Sequence, residues 1–175
     1  MENWALEPDV LAFYAFHYKT GKVIPQSLIE KLKKSSKFNQ GFATVEYLAA
    51  SMLDLKYHTL ISTITAEPID FENEYLHSIG LIPEIISRYR STYFNHIFSG
   101  GYSAGYYSYI WSGVLDTDAF QAFKETGLFD QKTATSFRKN ILERGGTEDP
   151  MQLYIKFRGR EPLLEPLLKK RGLME

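Results

Sequence analysis

Apolar residues recur along this chain at helical spacing, and Gly or Pro breaks the pattern at short intervals. That punctuation restricts the fold most, because each segment between breakers suits a few helical turns and no segment reads with confidence as a strand. Pro8-Asp9 opens a helix to about residue 18, with Leu11, Tyr14, Ala15 and Tyr18 on one face, and Thr20-Gly21 stops it. Residues 25–34 form a short amphipathic helix. Residues 39 to about 62 form a longer one, with Phe42, Val45, Leu48, Ala49, Met52 and Leu55 on a shared stripe. A break near Pro68 leads into 71–79, and Gly80 and Pro83 interrupt again. A helix is predicted from Ala104 to about Glu125, then another over 131–144, closed by Gly145-Gly146. Asp149-Pro150 caps the next, through Tyr154, because Asp accepts free N–H groups and Pro suits a first turn. The last helix follows Glu161-Pro162 and ends at Arg171-Gly172. The sequence thus predicts an all-α, multihelical chain forming a single helical unit over residues 1–175.

Hydrophobic residues make up 44% of the chain, enough for a real core. Net charge is −1, so no global field favours nucleic acid or an anionic membrane. There is no Cys, which removes disulfides, thiolate ligands and a thiol nucleophile. No apolar run approaches the roughly 20 residues that span a bilayer. Met1-Glu2-Asn3-Trp4 lacks the basic start and apolar stretch of a signal peptide. A cytoplasmic protein without membrane or nucleic-acid partners is expected.

Chemistry-bearing motifs are few. None of His17, His58, His77 and His96 is followed by Glu, so the His-Glu-x-x-His zinc motif is absent. Asp54 and His58 stand at i, i+4, and Glu74 and His77 at i, i+3. Either pair offers two ligands from one helix, but surface or core polar contacts explain them more simply. No Gly-x-Ser-x-Gly elbow and no phosphate-cradling Gly-x-x-x-x-Gly-Lys loop is present.

The unusual stretch runs from His96 through Ser99-Gly100-Gly101 to Trp111. Paired Gly allows positive φ and close backbone approach. The helix expected after it carries Tyr102, Tyr106 and Tyr109 at i, i+4, i+7, which aligns three phenols on one face. A phenol is a neutral donor at pH 7 and suits a developing oxyanion. His96 stands ready for a carbonyl or carboxylate. An aromatic core stripe with a Gly hinge accounts for the same spacing.

His96-Ile97-Phe98-Ser99-Gly100-Gly101-Tyr102-Ser103-Ala104-Gly105-Tyr106-Tyr107-Ser108-Tyr109-Ile110-Trp111 resembles the substrate-binding loop and helix of the thimet-oligopeptidase family of zinc peptidases. The branch containing oligopeptidase A and the bacterial peptidyl-dipeptidases is the most similar. Met1-Glu2-Asn3-Trp4 resembles the segment after that family's third zinc ligand, and His17-Tyr18-Lys19-Thr20-Gly21 its His-Tyr-x-Thr-Gly turn. Arg144-Gly145-Gly146, Asp149-Pro150-Met151 and Phe157-Arg158-Gly159-Arg160-Glu161-Pro162 resemble its C-terminal signature. The resemblance covers essentially the whole chain.

It implies the C-terminal portion of the thimet-oligopeptidase, neurolysin-like fold. By the same resemblance, Tyr102 and Tyr109 are the catalytic tyrosines that contact substrate and oxyanion. His96, Ser99, Gly100, Gly101 and Tyr106 are substrate-binding. The family's metal ligands and general base correspond to sequence upstream of Met1. No metal site is therefore expected in this chain, and zinc is expected in the parent enzyme. The implied partners are short peptide substrates and the missing N-terminal part of the same enzyme. The isolated chain is expected to be inactive, with apolar surface left by the missing helices. A non-catalytic helical peptide-binding module is the alternative. Arg158 and Arg160 are read as structural ion-pair residues.

Overall fold

A computed structural model describes residues 2–175; Met1, the first residue of the Met1-Glu2-Asn3-Trp4 resemblance, lies outside them. The fold is all-α: among the described residues there is no strand, and pairing is confined to an isolated antiparallel bridge between Phe16 and Val23. The chain divides into two compact units. A central unit spans Asn39–Ser112, and a terminal unit combines the residues up to Phe38 with Gly113–Glu175.

The terminal unit begins with α1 (Glu2–Ala5), α2 (Pro8–Tyr14) and α3 (Gln26–Ser35). Pro8 opens α2 as the sequence suggests, but α2 ends at Tyr14 rather than residue 18. The reason is a local turn that competes for the same backbone. The N–H groups of His17, Gly21 and Ile24 donate to Lys22, His17 and Ala15, and Gly21 takes φ 64°. The His17 ring accepts the N–H groups of Lys19 and Thr20 at 3.3 Å.

The central unit is built on α4 (Gln40–His58), followed by α5 (Pro68–Ser78), a 3-10 turn (Ser91–Tyr93) and the short α6 (Asn95–Phe98). α4 stops at His58 instead of residue 62, where the Thr59 hydroxyl and N–H both bond the Leu55 carbonyl. Its buried face carries Ala49, Ala50, Leu53 and Asp54. Phe42, Val45, Leu48, Met52 and Leu55 each remain about 40% exposed, so the stripe read from the sequence points outward except at Ala49. Small residues let neighbours approach the inner face closely. Ala49 and Leu53 pack with Leu76 of α5, and Ala50 packs with Phe94, Ile97 and Tyr106.

α7 (Ser108–Thr126) belongs to the central unit through Ser112 and to the terminal unit from Gly113. It starts four residues later than the sequence suggests. Residues 103–107 form tight turns, and Ala104 takes φ 53°. α8 (Gln131–Phe137) is capped by Asp130, which accepts the Thr133 N–H at 2.7 Å. The helix expected over 131–144 changes to a π turn at Arg138–Leu142. α9 (Pro150–Arg158) has the cap read from the sequence, with Asp149 accepting the Gln152 N–H at 2.9 Å. It runs past Tyr154 to Arg158; α10 (Glu165–Arg171) ends at Gly172.

Within the terminal unit, Trp4 meets Phe120 and Phe123 edge-on, with centroids 4.5 and 4.8 Å apart, and donates its indole N–H to the Leu128 carbonyl. The fully buried Asp118 carboxylate accepts from the Tyr154 hydroxyl at 2.6 Å and from Arg160 at 2.8 and 3.2 Å. Arg158 grips Glu125 with two bonds of 2.7 and 2.8 Å, and its Nε lies 3.4 Å from Asp118. Both arginines are thus ion-pair residues. Burial pushes the Asp118 carboxyl up, but bonds from Arg160 and Tyr154 and the charge of Arg158 outweigh it and hold the group below the usual carboxylate range.

Candidate functional site

The candidate residues lie in the central unit, between His96 and Tyr109. His96 sits on α6, with its ring 4.7 Å from that of Tyr89 and 6.1 Å from that of Tyr102. The loop beyond folds back on α6. The N–H groups of Ser99 and Gly100 donate to the Asn95 carbonyl, and that of Tyr102 to the His96 carbonyl. The Ser99 hydroxyl also bonds the Asn95 side chain.

The two loop glycines serve different ends. A Cβ on Gly100 would stand 2.8 Å from His96 Cα and 3.0 Å from its carbonyl oxygen, both backbone atoms. Gly101 has open space around it but adopts φ 83°, where a side chain is strained. Close approach and positive φ are both present, one at each residue, and the approach at Gly100 is to the chain's own backbone.

After the loop the backbone is held from α4. Asp54, fully buried, accepts the N–H of Ala104 on one carboxylate oxygen and that of Tyr106 on the other, each at 2.9 Å. His58 Nδ1 lies 2.9 Å from the Asp54 Oδ1. The Tyr47 hydroxyl donates to the Tyr106 carbonyl at 2.6 Å and accepts the Ile110 N–H at 3.2 Å. Because 103–107 is turn rather than helix, the three phenols do not line one helix face. The Tyr102 and Tyr109 rings still stack, with centroids 5.1 Å apart and planes 16° from parallel. Tyr109 is 45% exposed, whereas Tyr106 is 4% exposed and packs in the core with Ala50, Phe94 and Ile97.

The electrostatics separate these phenols too. Burial pushes the Tyr106 hydroxyl up to about 12, helped by the neighbouring Tyr89. A hydrogen bond with Tyr102 holds the Tyr109 hydroxyl above its ordinary value, with a lesser contribution from desolvation. Both therefore stay protonated donors through the neutral range.

The central unit buries a second carboxylate completely. Glu72 of α5 accepts the Ser91 N–H at 2.6 Å and its hydroxyl at 2.7 Å, and pairs with Arg90 Nε at 2.6 Å. The Tyr57 hydroxyl donates to Ser91 at 2.7 Å, and burial raises the Tyr57 pKa. Sequence reasoning missed Tyr47 and Glu72, and it weighed Asp54 with His58 as a ligand pair or, more simply, a polar contact, without the backbone bonds it makes. The available signal for Asp54 was an acid set between Leu53 and Leu55 in the middle of an apolar helix.

Among the described residues, no three His, Cys, Asp or Glu side chains come together to hold a metal ion. Asp54 is committed to backbone N–H groups, and His58 to Asp54. Nor is any helix among those residues long and apolar enough to cross a membrane.

Residues 1–173 match the family described as Peptidase family M3. The chain is 42% identical to a dipeptidyl carboxypeptidase of Escherichia coli over 98% of its own length. It is 38% identical to an oligopeptidase A of Salmonella typhimurium and 41% identical to a probable cytosolic oligopeptidase A of Arabidopsis thaliana, each over 99% of its length. It spans 26% of each of these relatives. With a match over nearly every residue, including the loop and tyrosines described above, the chain belongs to peptidase family M3.

Proposed function

We propose that this chain is the substrate-binding, oxyanion-facing part of a zinc peptidase that hydrolyses short peptides. The observation that carries the reading is the Tyr102–Tyr109 stack beside His96, with Tyr109 exposed, after a loop whose Gly100 excludes any side chain. Zinc would supply an activated water to the whole enzyme. The residues here do not fit that metal, so their work is binding, orientation and hydrogen-bond donation. In this reading the metal and general base belong to the three-quarters of the relatives' length that the chain does not span.

Roles follow from chemistry and exposure. Tyr109 and Tyr102 present neutral phenols to the oxygen that gains charge as a peptide carbonyl is attacked. His96 binds the substrate backbone near the scissile bond, and Ser99, Gly100 and Gly101 bring the loop close to it. Tyr106 serves substrate binding from beneath, as the buried ring on which this surface is built. The rest of the peptidase is the proposed occupant of the outward α4 stripe, Phe42, Val45, Leu48, Met52 and Leu55. A cytoplasmic location belongs to the same reading, in keeping with the relative named as cytosolic.

The test is a peptidase spanning both parts. Tyr109→Phe is expected to lower its turnover by roughly ten- to a thousandfold, by analogy with the loss of one oxyanion donor. Unchanged turnover would remove Tyr109 from that role. The chain alone is expected to bind substoichiometric zinc and hydrolyse nothing. One zinc per chain with chelator-sensitive hydrolysis would overturn the division of labour.

A further inference from the structure

The segment between the two stacked phenols is largely turn, and α7 begins only at Ser108. Ala104 stands at φ 53°, a left-handed conformation that costs a residue with a Cβ and persists only where surrounding contacts impose it. The N–H groups of Gly105, Ser108 and Trp111 donate to the Tyr102, Gly105 and Tyr107 carbonyls, but those of Ala104 and Tyr106 turn to a side chain instead. The Ser103 hydroxyl donates back to the Ile97 carbonyl at 2.7 Å.

The acceptor for these two N–H groups comes from α4. Tyr47 and Asp54 are seven residues apart and so share one face of that helix. Between them they make four bonds to the backbone of 104–110: Asp54 takes two N–H groups, and Tyr47 gives one bond to a carbonyl and takes one N–H. The Tyr47 ring also stacks on Tyr106, with centroids 5.5 Å apart, and meets Tyr109 edge-on at 6.5 Å. Tyr102 lies two residues before this clamped stretch and Tyr109 within it.

From this we infer that Tyr47 and Asp54 are positioning residues of the site: they set the path of 104–110 and thereby bring the Tyr102 and Tyr109 hydroxyls together. Neither needs to touch substrate. Asp54 holds the turn that leads into α7, through N–H groups four and two residues before the first residue of that helix. Tyr47 fixes the rotation of the first turn, because its hydroxyl bridges the carbonyl of Tyr106 and the N–H of Ile110. The inference rests on the proposed role of the phenols, but the geometry of the clamp can be tested apart from it.

Tyr47→Phe keeps the ring and removes the hydroxyl bridge; Asp54→Asn keeps the shape and removes an acceptor and the charge. Both are made in the 175-residue chain and followed by nuclear magnetic resonance of the tyrosine rings, with far-UV circular dichroism to establish folding. The expected result for Tyr47→Phe is native helicity, loss of the ring-to-ring contact between Tyr102 and Tyr109, and return of the Tyr109 titration to its ordinary value. If Asp54→Asn unfolds, Tyr47→Phe still decides the matter. A Tyr102–Tyr109 contact and titration unchanged in folded Tyr47→Phe would overturn the clamp.

In a peptidase spanning both parts, Tyr47→Phe is expected to lower kcat by roughly ten- to a hundredfold with KM nearly constant, as misplacement by about an ångström does. A lost ring contact with unchanged kcat would overturn the positioning role. If Tyr109→Phe also leaves kcat unchanged, the fault lies with the proposed role of the phenols, and the clamp stands as geometry alone.

Discussion

Asp118 of the terminal unit and Asp54 of the central unit are both buried completely, and the two are satisfied in opposite ways. Asp118 in the terminal unit is met by side chains: Arg160, Tyr154 and, at longer range, Arg158. Asp54 in the central unit is met by two backbone N–H groups, with His58 alongside. A carboxylate bonded to side chains ties packed elements together. One bonded to backbone dictates the path of the chain, and here that path sets the stacked phenols of Tyr102 and Tyr109. The first arrangement serves stability and the second serves shape.

The largest test of that contrast is Asp118→Ala. Removing one partner of a buried ion pair strands the other, which costs about 3–5 kcal/mol. Equilibrium denaturation in urea measures it, and the terminal unit should lose its cooperative transition first. A cost below about 1 kcal/mol, typical of an exposed pair, would make Asp118 no more than a surface-like contact. Acid gives the same answer independently. The Asp118 pKa is lowered in the folded chain, so its contribution is fully present above the ordinary carboxylate value of about 4. It is lost as pH falls through the folded value. Asp118→Asn should flatten the pH dependence of stability in that acid window and leave it unchanged near neutrality.

The loop glycines provide a smaller and more local test in the central unit. Gly100→Ala forces a Cβ into the His96 backbone, and overpacking of that kind costs about 1–3 kcal/mol. Gly101→Ala meets no atoms but keeps φ 83°, a strain of roughly 1–2 kcal/mol. If the loop is built as described, Gly100→Ala should displace the His96 ring resonances, while Gly101→Ala should lower the melting temperature with little change at His96. Equal effects at both sites would mean that conformational freedom alone explains the pair.

What was legible in the sequence follows the range of the forces involved. The Asp149-Pro150 start of α9 was legible because a cap is a contact between residues three apart. The end of α2 was not, because pairing of 15–17 with 21–24 defeats a helix that periodicity alone would extend. The Gly-Gly loop and tyrosine cluster stood out by composition, but their division of labour did not. Helical spacing aligned Tyr102, Tyr106 and Tyr109, whereas the turn imposed by Asp54 sends Tyr106 to the core and pairs the other two. Asp54 acts from about fifty residues away in sequence, and no local pattern encodes such a bond.

The α4 stripe gives the smallest expected effect and the sharpest distinction between folding and assembly. Its inner face holds Ala50 and Leu53 fully buried, while Leu48 and Met52 are about 40% exposed. Leu53→Ala should cost about 2–5 kcal/mol as a cavity in the core. Leu48→Gln and Met52→Gln should each change the stability of this chain by no more than about 0.5 kcal/mol, as surface substitutions do. The same two changes should weaken association with the rest of the peptidase, read by sedimentation of the mixed parts and by recovered hydrolysis. A large loss of stability in the isolated chain would mean that the stripe already serves the fold, and the proposed docking face would have to lie elsewhere. Unaltered stability with impaired association would divide α4 cleanly, one face shaping the tyrosine site and the other receiving the remainder of the enzyme.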